Sequence, residues 1–505
     1  MKKIFLLSSI TLLFLTACLF VTQWTGSTPE PIPFPPTPET VPPTPAPDVS
    51  LPPEDRPIYK DGLAPEYQDI LNKLPYASMY DIKFNIADDL YHITGNETVT
   101  YTNAEDVELN EVKFRLFPNI LGGEMHVDEV NVDGEVIIPN YSLNDSLLTV
   151  PLKTPLKPKE SITLNMDFSL TVPQTVDLNY GVQAYYDNVL ALAHAYPMIA
   201  VYDDEGWNAE IPPQSGDVTY ADMSFFTVTV DAPKDVTLVG SGREISQQEN
   251  GNWQTVRYEA GPVRDFYLAA SPDYEVVTKE SNGVTLRFYT RNELKEGAES
   301  ALDVAARAIE IYEQRYAPYP YTELDFVSTP TYALGIEYPG MIAITDWILQ
   351  PDQSYLEGVV AHEVGHQWFY NLVGNDQLDD PWLDESLTQF ATLQYFTDAY
   401  GQAGSQGFRQ DLEGRWDSIN QAEIPVGLPV KDYTDPEYSG IVYGRGGLFF
   451  EALRDEMGRE NFDAFIKDYV KTNSWDIATP EKLKAEAEAH CKCNLTPIFE
   501  KWIYP

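Results

Sequence analysis

The sequence predicts an α+β multidomain protein, with an N-terminal antiparallel β domain followed by a mainly helical domain. Two patterns carry this. From about residue 75 to 280, apolar residues recur at every second position in short runs separated by Gly, Pro, Asn and Asp, the period of half-buried strands. From about residue 290 they recur at intervals of three and four, the period of an amphipathic helix. The 505 residues leave room for about three domains. No fixed internal period points to a propeller or solenoid.

The elements follow in order. In residues 1–17, Lys2 and Lys3 precede an apolar run, 4–15, that is too short to span a bilayer, the pattern of a secretory signal peptide. The run ends in Leu15-Thr16-Ala17-Cys18, which resembles the lipobox of bacterial lipoproteins. That resemblance implies acylation of Cys18 and a protein lipid-anchored to a membrane at the cell surface, with its folded part extracytoplasmic. Residues 18–57 then read as a spacer, because 13 prolines fall between positions 29 and 57. Polyproline II at about 3.1 Å per residue would make those 29 residues a semi-rigid strut on the order of 90 Å long.

The β domain is expected over 58–285. Tyr80-Ile82-Phe84-Ile86, Val112-Phe114-Leu116, Ile162-Leu164-Met166-Phe168-Leu170 and Phe226-Val228-Val230 each place alternate apolar side chains on one face. The second domain is expected over 286–505, where Leu302, Ala305, Ile309, Tyr312 and Tyr316 mark one helix stripe.

Charge excludes some functions. Lys and Arg number 33 against 78 Asp and Glu, a net charge of −45, so neither nucleic acid nor an anionic membrane surface is an expected partner. Membrane contact is expected through the lipid anchor alone. The three cysteines, Cys18, Cys491 and Cys493, cannot staple a disulfide scaffold. In an exported protein the last two are expected as a tight disulfide or a pair of thiols.

The chemistry lies in the second half. His362-Glu363-Val364-Gly365-His366 sits in an apolar, turn-free stretch, residues 358–373, that is expected to be helical. Residues four apart share a helix face, so the two imidazoles can converge on one ion with Glu363 beside them. Catalytic zinc takes three protein ligands and leaves a fourth position for water. Eighteen residues beyond His366 stands Glu385, ahead of another helical pattern over 387–400 that could deliver the third ligand. Only six histidines occur in the chain, which makes a chance pairing of this kind rare. His92, His126, His194 and His490 have no comparable partners and are expected to be ordinary surface or core residues.

These motifs resemble the aminopeptidase N family of zinc metallopeptidases, the gluzincins, in a short bacterial lipoprotein form. Gln367-Trp368-Phe369 and Asn371-Leu372-Val373 follow the first motif as they do in that family. Pro318-Tyr319-Pro320-Tyr321-Thr322-Glu323-Leu324-Asp325 resembles its lead-in to the active-site strand. Gly335-Ile336-Glu337-Tyr338-Pro339-Gly340 resembles its exopeptidase motif, and Ile441-Val442-Tyr443-Gly444-Arg445-Gly446-Gly447 the segment carrying its catalytic tyrosine.

The resemblance implies a thermolysin-like catalytic domain holding one zinc per chain through His362, His366 and Glu385. It makes Glu363 the general base, Tyr443 the oxyanion donor, and Gly335 and Glu337 the substrate-amine site. It also implies peptides with a free N-terminus as substrates. The chain departs from the pattern at Leu334, Ile336, Tyr338 and Ser386, and the glutamine that assists the amine site in well-known members has no equivalent near 193–204. Three functions therefore stand open: a zinc aminopeptidase of extracellular peptides, a zinc peptidase or amidase that does not require a free amine, and a non-catalytic surface-anchored peptide-binding relative.

Overall fold

A computed structural model describes residues 56–213, 216–351 and 353–504. The expected signal peptide, Cys18 and all of the spacer except its last two residues lie outside these. Among the described residues, no helix is long and apolar enough to cross a membrane.

The period-two runs form strands as expected. In Ser78–Ile86 every second side chain is buried, and the same alternation runs along Ser161–Thr171. An eight-stranded sheet has the spatial order Arg243–Asn250, Trp253–Val263, Ser224–Pro233, Ser78–Ile86, His92–Thr102, Ser161–Thr171, Glu124–Val132 and Glu135–Ile137. Two four-stranded sheets and a two-stranded one, Tyr202–Asp203 with Gly206–Trp207, complete the β region. One pairing differs from the expected antiparallel pattern: Ser78–Ile86 lies parallel to Ser224–Pro233, with Ser78 opposite Ser224. A hairpin cannot make that contact, since the intervening chain must return before the second strand can be laid down.

The expected boundary at 285/286 falls inside a strand. Val284–Arg291 pairs antiparallel with Tyr274–Ser281 and parallel with Glu323–Thr329. Met341–Thr345 and Gly335–Ile336 extend this to a five-stranded mixed sheet. The sheet of the second region therefore begins at Tyr274, and one apolar core runs from the β region into the helices without a break. Helix Lys295–Arg315 carries the predicted stripe, burying Leu302, Ala305, Ile309 and Tyr312. Helices Leu356–Gly365, Glu385–Asp417, Gly446–Met457 and Arg459–Asn473 pack beyond it, the second broken at Gly401. Cys491 and Cys493 form a disulfide at the end of helix Pro480–Cys491.

Glu97 conflicts with the core of the β region. Its side chain is fully buried, and neither carboxylate oxygen has a hydrogen-bond partner. Burial pushes its pKa well above the ordinary carboxylate range. Folded Glu97 therefore keeps its proton where the unfolded chain has lost it, so stability falls as pH rises above the unfolded pKa of about 4.3. Glu97→Gln should raise stability at pH 7 by about 1–3 kcal/mol, and the gain should vanish toward pH 4. Urea titrations of both proteins across this range provide the check.

Candidate active site

Helix Leu356–Gly365 is buried along its last two turns, and the Tyr312 hydroxyl donates to the Ala361 carbonyl at 2.8 Å. His362 lies in the helix and His366 at its C-cap. The helix thus ends eight residues earlier than the apolar pattern suggests. Tyr370, at φ 142°, breaks the helical path, and the Arg264 guanidinium takes the carbonyls of Tyr370 and Asn371 beyond it. Wider turns follow, with the Asn371 N–H donating to the His366 carbonyl at 3.0 Å. They bring the Phe369 carbonyl within 2.8 Å of His366 Nδ1. A proton held there leaves the Nε2 lone pair facing the site.

Glu385 opens the next helix, where the Asp384 carboxylate accepts from its backbone N–H at 2.8 Å. His362 Nε2 lies 3.1 Å from His366 Nε2 and 3.1 Å from Glu385 Oε2, and His366 Nε2 lies 3.5 Å from the same oxygen. Tetrahedral ligands at about 2.0–2.1 Å from zinc would stand roughly 3.3–3.4 Å apart. Two imidazole lone pairs and a carboxylate at these spacings fit that ion. Burial lowers the His362 pKa, as a neutral ligand requires. Burial acts to raise Glu385, but the imidazoles of His366 and His362 outweigh it and hold the carboxyl well below its usual range.

The other expected residues converge here. Gly335 pairs with Ile344 at the sheet edge, and a Cβ on it would stand 2.4 Å from Glu363 Oε1, so the bare backbone leaves room for that carboxylate. Glu337 is 5% exposed and accepts from Gln377 Nε2 at 3.2 Å. The same amide donates to Asp384 at 2.8 Å. Tyr443 sits in a π-helical turn, Ile441–Arg445, and donates to Glu385 Oε1 at 2.5 Å. Single π turns recur at functional sites because they displace one side chain from the helical spacing.

Two of the motif departures, Ser386 and Tyr338, have local explanations. The Ser386 hydroxyl donates to the Val442 carbonyl at 2.6 Å and fills the space beside Gly446, tying the ligand helix to the tyrosine turn. Tyr338 turns away from the site and stacks on Tyr267, with ring centroids 4.2 Å apart.

Residues 300–502 match the model of the peptidase family M1 domain. Residues 300–502 belong to peptidase family M1. The match agrees with relatives. Aminopeptidase M1 of Arabidopsis thaliana is 26% identical over 298 residues, which cover 55% of this chain and 33% of that protein. Aminopeptidase 2 of Candida albicans is 23% identical over 445 residues, covering 84% and 46%. The chain thus spans a third to a half of the length of these curated relatives. Among solved structures, the M1 zinc metallopeptidase from Deinococcus radiodurans superposes with a TM-score of 0.69 at 20% identity, covering 85% of this chain and 93% of that one. The β region followed by a helical catalytic domain is therefore the M1 fold, and zinc is the metal to which its histidines and glutamate are suited.

The site also contains residues that the motif reading did not single out. Gln377 joins Glu337 to Asp384, and its place inside the interval between the ligands was the only signal available. Asp217 enters from the β region, and its carboxylate lies within 4.8 Å of those of Glu337 and Glu385. No local pattern marks it. Burial, and after it Glu337, push the Glu363 pKa well up, which favours a base that also returns its proton. Burial pulls His366 down, yet Glu337 and Glu385 outweigh it and hold the imidazole well above its usual range.

Two substitutions separate the ligands from the frame around the base. His366→Ala should reduce zinc content severely, since two protein ligands make a poor site. Gly335→Ala should leave zinc in place but lower turnover by roughly tenfold or more, because the new methyl displaces Glu363. Metal analysis beside steady-state kinetics distinguishes the two.

Proposed function

We propose that the protein is a zinc-dependent aminopeptidase, with one zinc per chain, that hydrolyses the N-terminal bond of peptides. The carrying observation is Glu337, a buried carboxylate fixed by Gln377 and within 4.8 Å of the ligand Glu385. A carboxylate at that distance suits an N-terminal ammonium while the first peptide bond lies over the metal site. The relatives named aminopeptidases support the same reading.

Zinc, when bound, lowers the pKa of water and polarises a carbonyl. The chain's residues do the rest. Glu363 accepts the proton of the attacking water and passes it to the leaving nitrogen. Tyr443 moves its hydroxyl from Glu385 to the carbonyl oxygen, where negative charge develops only in the transition state. Glu337 accepts a hydrogen bond from the substrate ammonium and so sets which bond is reached.

We further propose that the enzyme works outside the cytoplasm, tethered by lipid on Cys18 and the proline-rich spacer. The lipobox-like Leu15-Thr16-Ala17-Cys18 supports this. More than one acyl chain is needed for stable anchoring.

Glu363→Gln should retain zinc while turnover falls by about two or more orders of magnitude. Tyr443→Phe should lower kcat by roughly a hundredfold with little change in KM. Wild-type enzyme should cleave free aminoacyl reporters and spare their N-acetylated forms. Equal cleavage of both would refute the aminopeptidase reading. For the anchor, Cys18→Ser should release the protein from membranes or leave it unprocessed, and native protein without lipid on Cys18 would overturn that part.

A further inference from the structure

We infer that a cavity between the β region and the five-stranded mixed sheet is a binding site for an aliphatic diamine, separate from the catalytic site. Its volume is about 280 Å³, close to the lower size of small-molecule sites. The β region lines it with Leu238, Val239, Glu244 and Tyr258, and the mixed sheet with Arg287, Glu323 and Asp325. The Asp325 N–H donates to the Gly340 carbonyl at 3.0 Å, so the cavity backs onto the Gly335–Gly340 segment without sharing a residue with the catalytic constellation.

One polar group of the cavity is left without a protein partner. Tyr258 is 3% exposed, and its hydroxyl has no hydrogen-bond partner among the described residues. Burial, and after it Glu244, Tyr289 and Asp325, raise its pKa well above the ordinary phenol range, while Arg287 acts the other way. The hydroxyl therefore stays protonated in the midst of the cavity's charged groups, with lone pairs free to accept from an N–H. A buried polar group of this kind is costly until a ligand or water completes it.

Charge and shape select the occupant. Arg287 Nη2 donates to Glu323 and, at 3.0 Å, to Asp325 Oδ2, and Nε lies 2.9 Å from Asp325 Oδ1. The guanidinium is thus taken up by two acids and offers little to an anion. Burial lifts the Asp325 carboxyl to about 7, against the pull of Arg287. Glu244 is exposed and pairs with no lysine or arginine among the described residues. Above neutrality, three carboxylates against one guanidinium leave two negative charges, which a dication matches.

A metal ion fits poorly. Oxygen ligands must converge closely on such an ion, and among the described residues every set of three acids or histidines near enough to share one lies at the catalytic site. Two ammonium groups on a methylene chain reach separate carboxylates instead, and Leu238 and Val239 offer the chain an apolar wall.

The test is calorimetric titration of the zinc-loaded protein, at about pH 8 where amines stay charged, with 1,4-diaminobutane, n-butylamine and calcium chloride. It is repeated on Tyr258→Phe, Glu244→Gln and Glu337→Gln, with thermal unfolding measured on each. Wild type should bind the diamine about tenfold or more tightly than butylamine, and calcium should not compete. Tyr258→Phe and Glu244→Gln should each weaken the diamine by about fivefold or more, whereas Glu337→Gln, altered only in the catalytic site, should leave it unchanged. Should Tyr258→Phe not fold, Glu244→Gln, changed at an exposed position, decides alone.

No saturable diamine binding by wild type, or equal affinity for the mono- and diamine, would overturn the inference. So would diamine binding that Glu337→Gln abolishes and the cavity variants spare, which would place the amine in the catalytic site. Calcium binding lost in Glu244→Gln would overturn it in favour of a metal site. None of these outcomes bears on the aminopeptidase reading, which the acetylated reporters test separately.

Discussion

Arg264 holds together the pieces from which the active site is made. Its guanidinium, 2% exposed, donates from Nε to the carbonyls of Tyr370 and Asn371, from Nη1 to Ala221 and from Nη2 to Asp476. These carbonyls belong to the turn after the first ligand pair, to the β-region segment bearing Asp217, and to the strand Asp476–Ile477. A buried guanidinium loses its hydration, and only a set of acceptors matched to its fork offsets that cost. Burial lowers its pKa, with Tyr370 and Asp222 acting in the opposite direction. Gly374 passes directly over the group, where a Cβ would lie 2.1 Å from Cζ, so the backbone there must be bare.

Within that frame, the positions of the functional groups follow from short links. The proton held between His366 and the Phe369 carbonyl aims one lone pair. Asp384 caps the helix that begins with Glu385 and also receives the amide that steadies Glu337, so these two carboxylates share one support. Ser386 ties the same helix to the π turn of Tyr443. A shift in any one of these elements moves at least two groups of the site together, which explains how four buried acids and two histidines keep one arrangement.

The parts legible in the sequence were those whose signals are local. Strands such as Ser78–Ile86 show their alternation within nine residues, and the histidine pair shows its helical spacing within five. The early end of helix Leu356–Gly365 was hidden because the turn that follows it, with Tyr370 at φ 142°, is held by Arg264, which is distant in sequence. The start of the second sheet at Tyr274 was missed because Val284–Arg291 finds its parallel partner only at Glu323–Thr329. Tyr338 read as a defect in the amine motif because its partner Tyr267 lies on a different element. Asp217 gave no sign at all, for a carboxylate in a loop acquires meaning only from what folds around it.

The parallel pairing of Ser78–Ile86 with Ser224–Pro233 bears on the order of assembly. As the chain is synthesised, the first strand can pair at once with His92–Thr102 across a short turn. Its other edge must wait until residue 224 and beyond have emerged, leaving unpaired N–H and C=O groups on what will become an interior strand. Closure of that edge delivers the following segment, including Arg264, to the place where the zinc-ligand helix will dock. The first strand of the β region thus gains its second neighbour only after most of that region has been made.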